Sequence, residues 1–165
     1  MNNDKEVTMA HSPVPYMDRS RRYYEVQGFD KPYVWAHFEE VPFTPLAKPL
    51  ADSTLALLTT ASLYARKATD MRAVASGESA TPPKRLFAVD LSWDKKATHL
   101  DDLNSYFPIS LLDDLVNTGC IGQLAQKFHC IPTEYSQRRT IEVDAPEILR
   151  RCREDAVDVA FLVPL

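Results

Sequence analysis

The sequence predicts a small α/β fold with an open, mostly parallel sheet flanked by helices. Residues 53–60 read STLALLTT, a short apolar run without a polar face, which is typical of a strand buried on both sides in a parallel sheet. Residues 107–119 carry a helical apolar pattern, and a second helical segment precedes the apolar run 157–163. This order of strand, helix, helix and strand favours an α/β sheet.

Both predicted helices have recognisable ends. In residues 107–119, Pro108 suits the first helical turn and Gly119 suits the position just past the last turn. One apolar stripe lies between them, formed by Leu111, Leu112, Leu115 and Val116. The second helix starts at a capping-box-like segment, residues 144–147, and is expected to run to about Asp155.

Two further strands are predicted. Residues 157–163 are expected to form another buried strand. Residues 86–91 are also a candidate, since Phe87 and Val89 alternate with smaller neighbours. Residues 65–85, rich in charged and small side chains, are too long for a tight connection and predict a flexible loop or lid.

The chain is expected to comprise a flexible segment, residues 1–20, and a single α/β domain, residues 21–165. The domain opens with an aromatic and proline-rich N-terminal arm that ends near residue 49. Three prolines between residues 42 and 49 forbid a regular helix and predict an extended chain. We expect the aromatic side chains to cover the sheet; a partner-binding strip is the alternative.

Composition narrows the classes of partner and compartment. The net charge is −4 and the basic residues are scattered, so no concentrated basic face for nucleic acid is expected. The longest apolar runs are strand-sized, far below the roughly 20 residues of a membrane helix. Because the first twenty residues lack the apolar block of a signal peptide, the sequence predicts a cytoplasmic protein.

Cysteine and metal-ligand spacings match no defined site. Cys120, Cys130 and Cys152 are an odd number with spacings that suit neither a disulfide framework nor a zinc knuckle, so free thiols are predicted. The densest group of potential metal ligands contains His99, Asp101 and Asp102, but its spacing fits no ligand pattern. No metal and no cofactor are therefore expected.

Four ordered blocks carry a resemblance to a known family. Residues 41–61 read VPFTPLAKPLADSTLALLTTA, and the runs 99–104, 107–125 and 153–164 follow in the same order. Together they resemble the selenoprotein B-like family of glycine, sarcosine, betaine and D-proline reductases over roughly residues 41 to 165. The resemblance implies an oxidoreductase subunit that acts on a small amino-acid-like substrate.

In that family a redox motif with cysteine or selenocysteine follows the last strand, and a thiolate or selenolate attacks the substrate. The run 153–164 matches this last strand, and residues 1–165 contain no such motif. The resemblance therefore implies that a partner redox subunit supplies part of the thiol chemistry. Self-association into a homo-oligomer is left open.

Six residues are candidate site residues. Thr59 and Thr60 end the central predicted strand, where hydroxyls and free amides could hold a carboxylate; the alternative is a purely structural turn. Asp102 and Asn104 are further substrate-binding candidates, with helix capping as the alternative. His129 and Cys130 are the catalytic candidates, although neighbours in an extended segment point to opposite faces, and a buried inert thiol is the alternative for Cys130.

Two other function classes remain open at this point. A non-catalytic binding or scaffold protein would keep the fold and use the arm and the long loop for assembly. A redox-independent enzyme would use His99, Asp101, Asp102 and His129 as acid–base groups.

Overall fold

The computed structural model describes residues 15–29, 31, 34, 36–65, 73–88, 99–131, 133 and 136–165. The chain divides into two compact units, Met1–Val41 and Pro42–Leu165. The sequence had predicted a division near residue 20.

The first unit contains helix α1, Tyr16–Val26, which the sequence did not predict. The segment after Pro15 lacks proline and glycine until Gly28, so nothing interrupts a helix. Gly28 then ends it in a left-handed conformation, with its N–H donating to Glu25 O while Phe29 N–H donates to Tyr24 O. These two bonds form the Schellman motif that satisfies the last helical carbonyls.

The second unit is built on one mixed, mostly parallel sheet. Strand β1 is Thr54–Thr59, β2 is Ala75–Glu78, β3 is Gln123–Leu124, β4 is Lys127–Cys130 and β5 is Val159–Val163. β1 pairs in parallel with β3, β4 and β5, whereas β2 pairs antiparallel with β4. The predicted α/β class is confirmed.

β3 and β4 are two halves of one interrupted strand on the same side of β1. Thr54 pairs with Gln123 and Thr59 pairs with Cys130, so this side contains two more residues than β1 over the same span. Ala125 and Gln126, between the halves, take up the excess. From one edge of the sheet to the other, the order is therefore β2, the interrupted strand formed by β3 and β4, then β1, and finally β5.

All six residues of β1 are buried, as predicted for a central parallel strand. Leu55 and Leu57 belong to a cluster on one face, with Phe107, Ile109 and Leu112. On the other face, Ala56 and Leu58 pack with a second cluster that includes Ile148 and Cys152. The sheet is thus a central layer between two helical layers.

Helix α2, Ile109–Asn117, packs on the first face. Gly119 ends it as predicted, with a φ of 75°. The predicted apolar stripe was wrong in part, because Leu111 and Leu115 are exposed while Ile109 and Leu112 are buried. The stripe of buried residues therefore begins at Ile109, the first residue of α2, about one turn before Leu112.

The C-terminal helix starts earlier than predicted. It consists of α3, Gln137–Arg139, a π-helical turn, Thr140–Asp144, and α4, Ala145–Glu154. Ser136 caps it by accepting the Arg139 N–H at 3.3 Å. The predicted cap at Asp144 is wrong, since this residue is itself helical and its side chain makes no capping hydrogen bond.

Two predictions for strands need correction. The predicted loop 65–85 contains β2, a strand of small and polar residues that no hydrophobic pattern marks. Residues 86–88 form only an isolated bridge between Phe87 and Ser62, and the remainder of the predicted strand 86–91 lies outside the described residues. β5 exists as predicted but is not a buried strand, because it lies at the edge of the described sheet.

The proline-rich arm contains neither helix nor strand over residues 36–49, consistent with the extended chain that its prolines predict. Its aromatic side chains Phe38 and Phe43 are exposed. Tyr33 and Trp35 lie outside the described residues. Within the described ranges, no helix is both long and apolar enough to cross a membrane.

Candidate binding site around His129

The pairing of β2 with β4 places Ser76 directly opposite His129. The Ser76 hydroxyl lies 2.8 Å from His129 Nδ1, within hydrogen-bond distance. The His129 side chain is completely buried on the face of the sheet that α4 covers. A serine and a histidine that are distant in sequence therefore form a partly buried polar pair.

Arg151 connects α4 to this pair. Its Nη1 donates to Ser76 Oγ at 2.6 Å, and its Nε donates to Glu147 Oε1 at 2.7 Å. Glu147 also accepts two hydrogen bonds from Arg150, both at 2.9 Å. These bonds to Arg150 and then Arg151 lower the pKa of Glu147 to about 2, so its carboxylate stays ionised and holds Arg151 in place.

Burial and neighbouring charges set the protonation of His129. Burial, followed by the positive charge of Arg151, lowers the pKa of His129, so the imidazole is neutral near pH 7. Arg151 can only donate to Ser76 Oγ, whereas between Ser76 Oγ and His129 Nδ1 either group can be the donor, depending on the histidine tautomer. Within the described part of the chain, Nε2 is buried and has no hydrogen-bond partner.

A cavity of about 230 Å³ adjoins this network. Its wall combines basic side chains from Lys127, Arg150 and Arg151 with acidic ones from Glu78, Glu154 and Asp155, and Ser76 and His129 complete it. The volume lies below the roughly 300 Å³ at which pockets for drug-sized ligands begin, so it suits only a small molecule. This mixture of basic and acidic side chains suits a molecule that carries both a positive and a negative charge.

Of the six predicted site residues, only His129 lines this cavity. Thr59 and Thr60 lie at the carboxyl end of β1, as predicted, but their hydroxyls are engaged locally. Thr59 Oγ1 accepts the Ala61 N–H at 3.2 Å, and Thr60 Oγ1 accepts the Leu165 N–H at 2.7 Å. These bonds match the structural alternative, in which the hydroxyls stabilise the end of the strand.

Asp102 and Asn104 also make local bonds. Asp102 caps a 3₁₀ turn, Leu103–Ser105, by accepting the Asn104 N–H at 3.1 Å. Asn104 Oδ1 accepts from the Ser110 hydroxyl at 3.0 Å and thereby ties this turn to α2. His99 and Asp101 form an exposed pair, 3.5 Å between Nδ1 and Oδ2, and the structure does not bring them into the His129 cavity.

His129 and Cys130 lie on opposite faces of the sheet, as their adjacency predicts. Cys130 packs in the cluster with Phe107 and Phe128, and burial raises the pKa of its thiol to about 12. Cys152 is also buried, and burial raises its pKa. Cys120 is exposed just past α2, the helix that packs on the face opposite the cavity.

Sequence reasoning missed the partners of His129. Ser76 lies in a strand without apolar alternation, so nothing in the sequence indicated that it faces His129. The spacing of Glu147 and Arg151, four residues apart, was a usable signal for an intrahelical ion pair. That spacing could have predicted a fixed guanidinium on α4, but not its target.

Comparisons with protein-family models, curated proteins and solved structures gave no match. The described residues also include no group of three or more histidine, cysteine or acidic side chains placed to hold a metal ion.

Proposed function

We propose that the chain binds a small zwitterionic, amino-acid-like molecule in the His129 cavity, as a subunit of an oxidoreductase complex whose thiol chemistry comes in part from a partner. The observation that carries the first half is the cavity wall. It brings Lys127 and Arg151 together with Glu78 and Asp155 around a space of about 230 Å³.

Each end of an amino acid has a chemical counterpart in this wall. Arginine and lysine donate charge-assisted hydrogen bonds to carboxylates, and acidic side chains accept them from an ammonium group. His129 also lines this wall, and its buried Nε2 has no hydrogen-bond partner among the described residues. A buried polar atom without a partner costs about 1–3 kcal/mol, so a ligand that hydrogen-bonds to Nε2 would recover this amount.

The burial of cysteines in this chain supports a thiol supplied by a partner. Burial raises the pKa of Cys130 to about 12, so its thiolate, the nucleophilic form, is scarce at pH 7. Cys152 is buried with a raised pKa, and Cys120 does not line the cavity. The resemblance to the selenoprotein B-like reductases supplies the reaction class, in which a thiolate or selenolate attacks an amino-acid-like substrate.

The binding step is tested by titrating the protein with glycine and D-proline and following the His129 imidazole resonances by NMR. Both zwitterions should shift these resonances, whereas acetate and methylamine, each with one of the two charges, should bind more weakly. Arg151→Gln should weaken zwitterion binding about tenfold or more, because a lost charge-assisted bond is worth about 1.5–3 kcal/mol.

Arg153→Gln is the matched control, since Arg153 lies on the same helix but does not line this cavity. Equal affinity for acetate and glycine, or equal losses in the two arginine variants, would contradict the proposed site. The second half of the proposal is tested by affinity purification under reducing conditions. A stoichiometric partner with a reactive cysteine or selenocysteine supports the split reductase; recovery of this chain alone contradicts it and leaves a binding protein.

A further inference from the structure

The outer edge of β5 carries backbone groups that pair with no strand in the part of the chain that the structure describes. Among the described strands, β5 pairs with β1 only. Asp158 N–H donates to Thr54 O at 2.9 Å, so even-numbered positions direct their backbone groups toward β1. Because these directions alternate along a strand, Val159, Phe161 and Val163 direct their N–H and C=O groups away from β1.

The side chains on this edge lack the usual protection against pairing. Natural edge strands carry charges, prolines or bulges that prevent association with other strands. Residues 159–163 read VAFLV and contain none of these. Phe161 is 43% exposed and Leu162 is 54% exposed, on opposite faces of the sheet.

We propose that β5 is a homodimer interface, at which it pairs antiparallel with β5 of a second copy of this chain. The two-fold axis passes at Phe161. In this register Phe161 lies opposite the partner's Phe161, and Val159 lies opposite the partner's Val163. All three residues with outward backbone groups then form hydrogen-bonded pairs, each exchanging two N–H···O bonds, for about six bonds in total.

The pattern of the strand favours a second copy over an unrelated strand. A two-fold interface requires a surface that is complementary to itself, and VAFLV meets this requirement about its central residue. On one face, valine pairs with valine on both sides of the central phenylalanine pair. On the other face, Ala160 lies opposite the partner's Leu162, so a small and a large side chain fill the space together.

Helix α4 extends the same surface. Ile148 faces the sheet, and Arg151, three residues later, reaches Ser76 on the β2 side. At about 100° per residue, Leu149 therefore projects to the other flank of the helix, toward β5. Leu149 is exposed and adds apolar area on this flank of the helix.

The size of the surface sets the expected strength. A stable interface buries about 800 Å² per partner, and one five-residue strand edge with a neighbouring leucine provides less. The dimer is therefore expected to dissociate on dilution. This interface is independent of the proposed ligand site, which lies at the opposite, β2 edge of the sheet.

Sedimentation equilibrium of the full chain, from low to high micromolar concentration under reducing conditions, tests the association. The wild type should shift from monomer to dimer. Leu162→Lys should remain monomeric, and so should Phe161→Pro, which removes an N–H directed away from β1. Leu111→Lys, a charge placed at an exposed leucine of α2, should dimerise like the wild type.

Register is tested by disulfide formation in a Cys120→Ser background. Phe161→Cys should form an intermolecular disulfide, because residues on the axis have Cα atoms about 5.5 Å apart. Ala160→Cys should cross-link much more slowly, since it lies opposite the partner's Leu162. A monomeric wild type at all concentrations, equal weakening by Leu162→Lys and Leu111→Lys, or faster cross-linking by Ala160→Cys would overturn the proposal. Thermal unfolding confirms that each variant is folded.

Discussion

Gly77 and Phe128 are cross-strand partners, and the phenylalanine ring occupies the space that a side chain at Gly77 would need. The ring packs against Phe107 with 4.7 Å between centroids, so it cannot move away without disturbing the core. Glycine weakens a strand in general, but here it allows β2 to approach β4. The same pairing places Ser76 opposite His129.

Gly77→Ala should therefore lower the free energy of unfolding by about 1–3 kcal/mol, the usual cost of overpacking a core, as measured by urea denaturation. Phe128→Leu provides the control background because it removes the ring. In that background the alanine should cost markedly less, since contacting residues are not additive. An equal cost in both backgrounds would show that the ring is not the cause.

His129 should make stability depend on pH. Burial and then Arg151 lower its pKa in the native state, while Asp155 and Glu147 oppose and Lys127 adds to the lowering. The unfolded chain, with an ordinary histidine pKa of about 6.5, therefore binds a proton that the native state does not. This stabilising contribution is complete above about pH 6.5 and is lost as the pH falls toward the native pKa.

Urea denaturation between about pH 8 and pH 5 measures this effect. This pH range lies above the one in which most carboxylates titrate. His129→Gln, which retains an acceptor for Ser76, should reduce the slope of the unfolding free energy against pH by the equivalent of up to one bound proton. NMR titration gives a second readout: Arg151→Gln should raise the pKa of His129, and Arg153→Gln should not. A variant without histidine at 129 that keeps the full wild-type slope would show that the linkage lies elsewhere.

The predictable parts of this fold depend on short sequence patterns. The unbroken burial of β1 follows from an apolar run, and the end of α2 follows from Gly119. β2 and the His129 site depend instead on strand register. No local pattern states that Ser76 will face His129, which is 53 residues away, or that Arg151 will reach Ser76 from α4.

The exposure of β5 was unpredictable for a related reason. An apolar run of this length is equally compatible with a central strand and an edge strand, because burial depends on what lies on its outer side. Likewise, Thr59 and Thr60 were correctly placed at the strand end, but only the structure identifies Ala61 and Leu165 as the partners of their hydroxyls.

Replacing Ala156 with glycine should stabilise the folded protein. It follows α4 with a φ of 51°, while its N–H donates to Arg153 O and Val157 N–H donates to Cys152 O. The left-handed conformation costs a residue with a side chain about 1–2 kcal/mol, partly offset by the greater freedom of glycine in the unfolded chain. Ala156→Gly should thus raise the free energy of unfolding by about 0.5–1 kcal/mol.

Ala145→Gly is the matched control in the same helix. Its φ of −64° is right-handed, so glycine there should destabilise by about 1 kcal/mol. Both values come from thermal or urea unfolding. Destabilisation by both glycine variants would contradict the assignment of strain to Ala156.

The three thiols should differ in reactivity, which bears on where a reductase-like reaction obtains its nucleophile. Cys120 is exposed, whereas Cys130 is fully buried with a pKa of about 12, and Cys152 is buried with a raised pKa. Alkylation by iodoacetamide at pH 8, followed by peptide mass spectrometry, should label Cys120 first. Cys130 should react only through opening of the native structure, so a low urea concentration should accelerate its labelling but not that of Cys120. Labelling of Cys130 as fast as Cys120 in native buffer would mean that this chain has its own accessible nucleophile on β4 and needs no thiol from a partner.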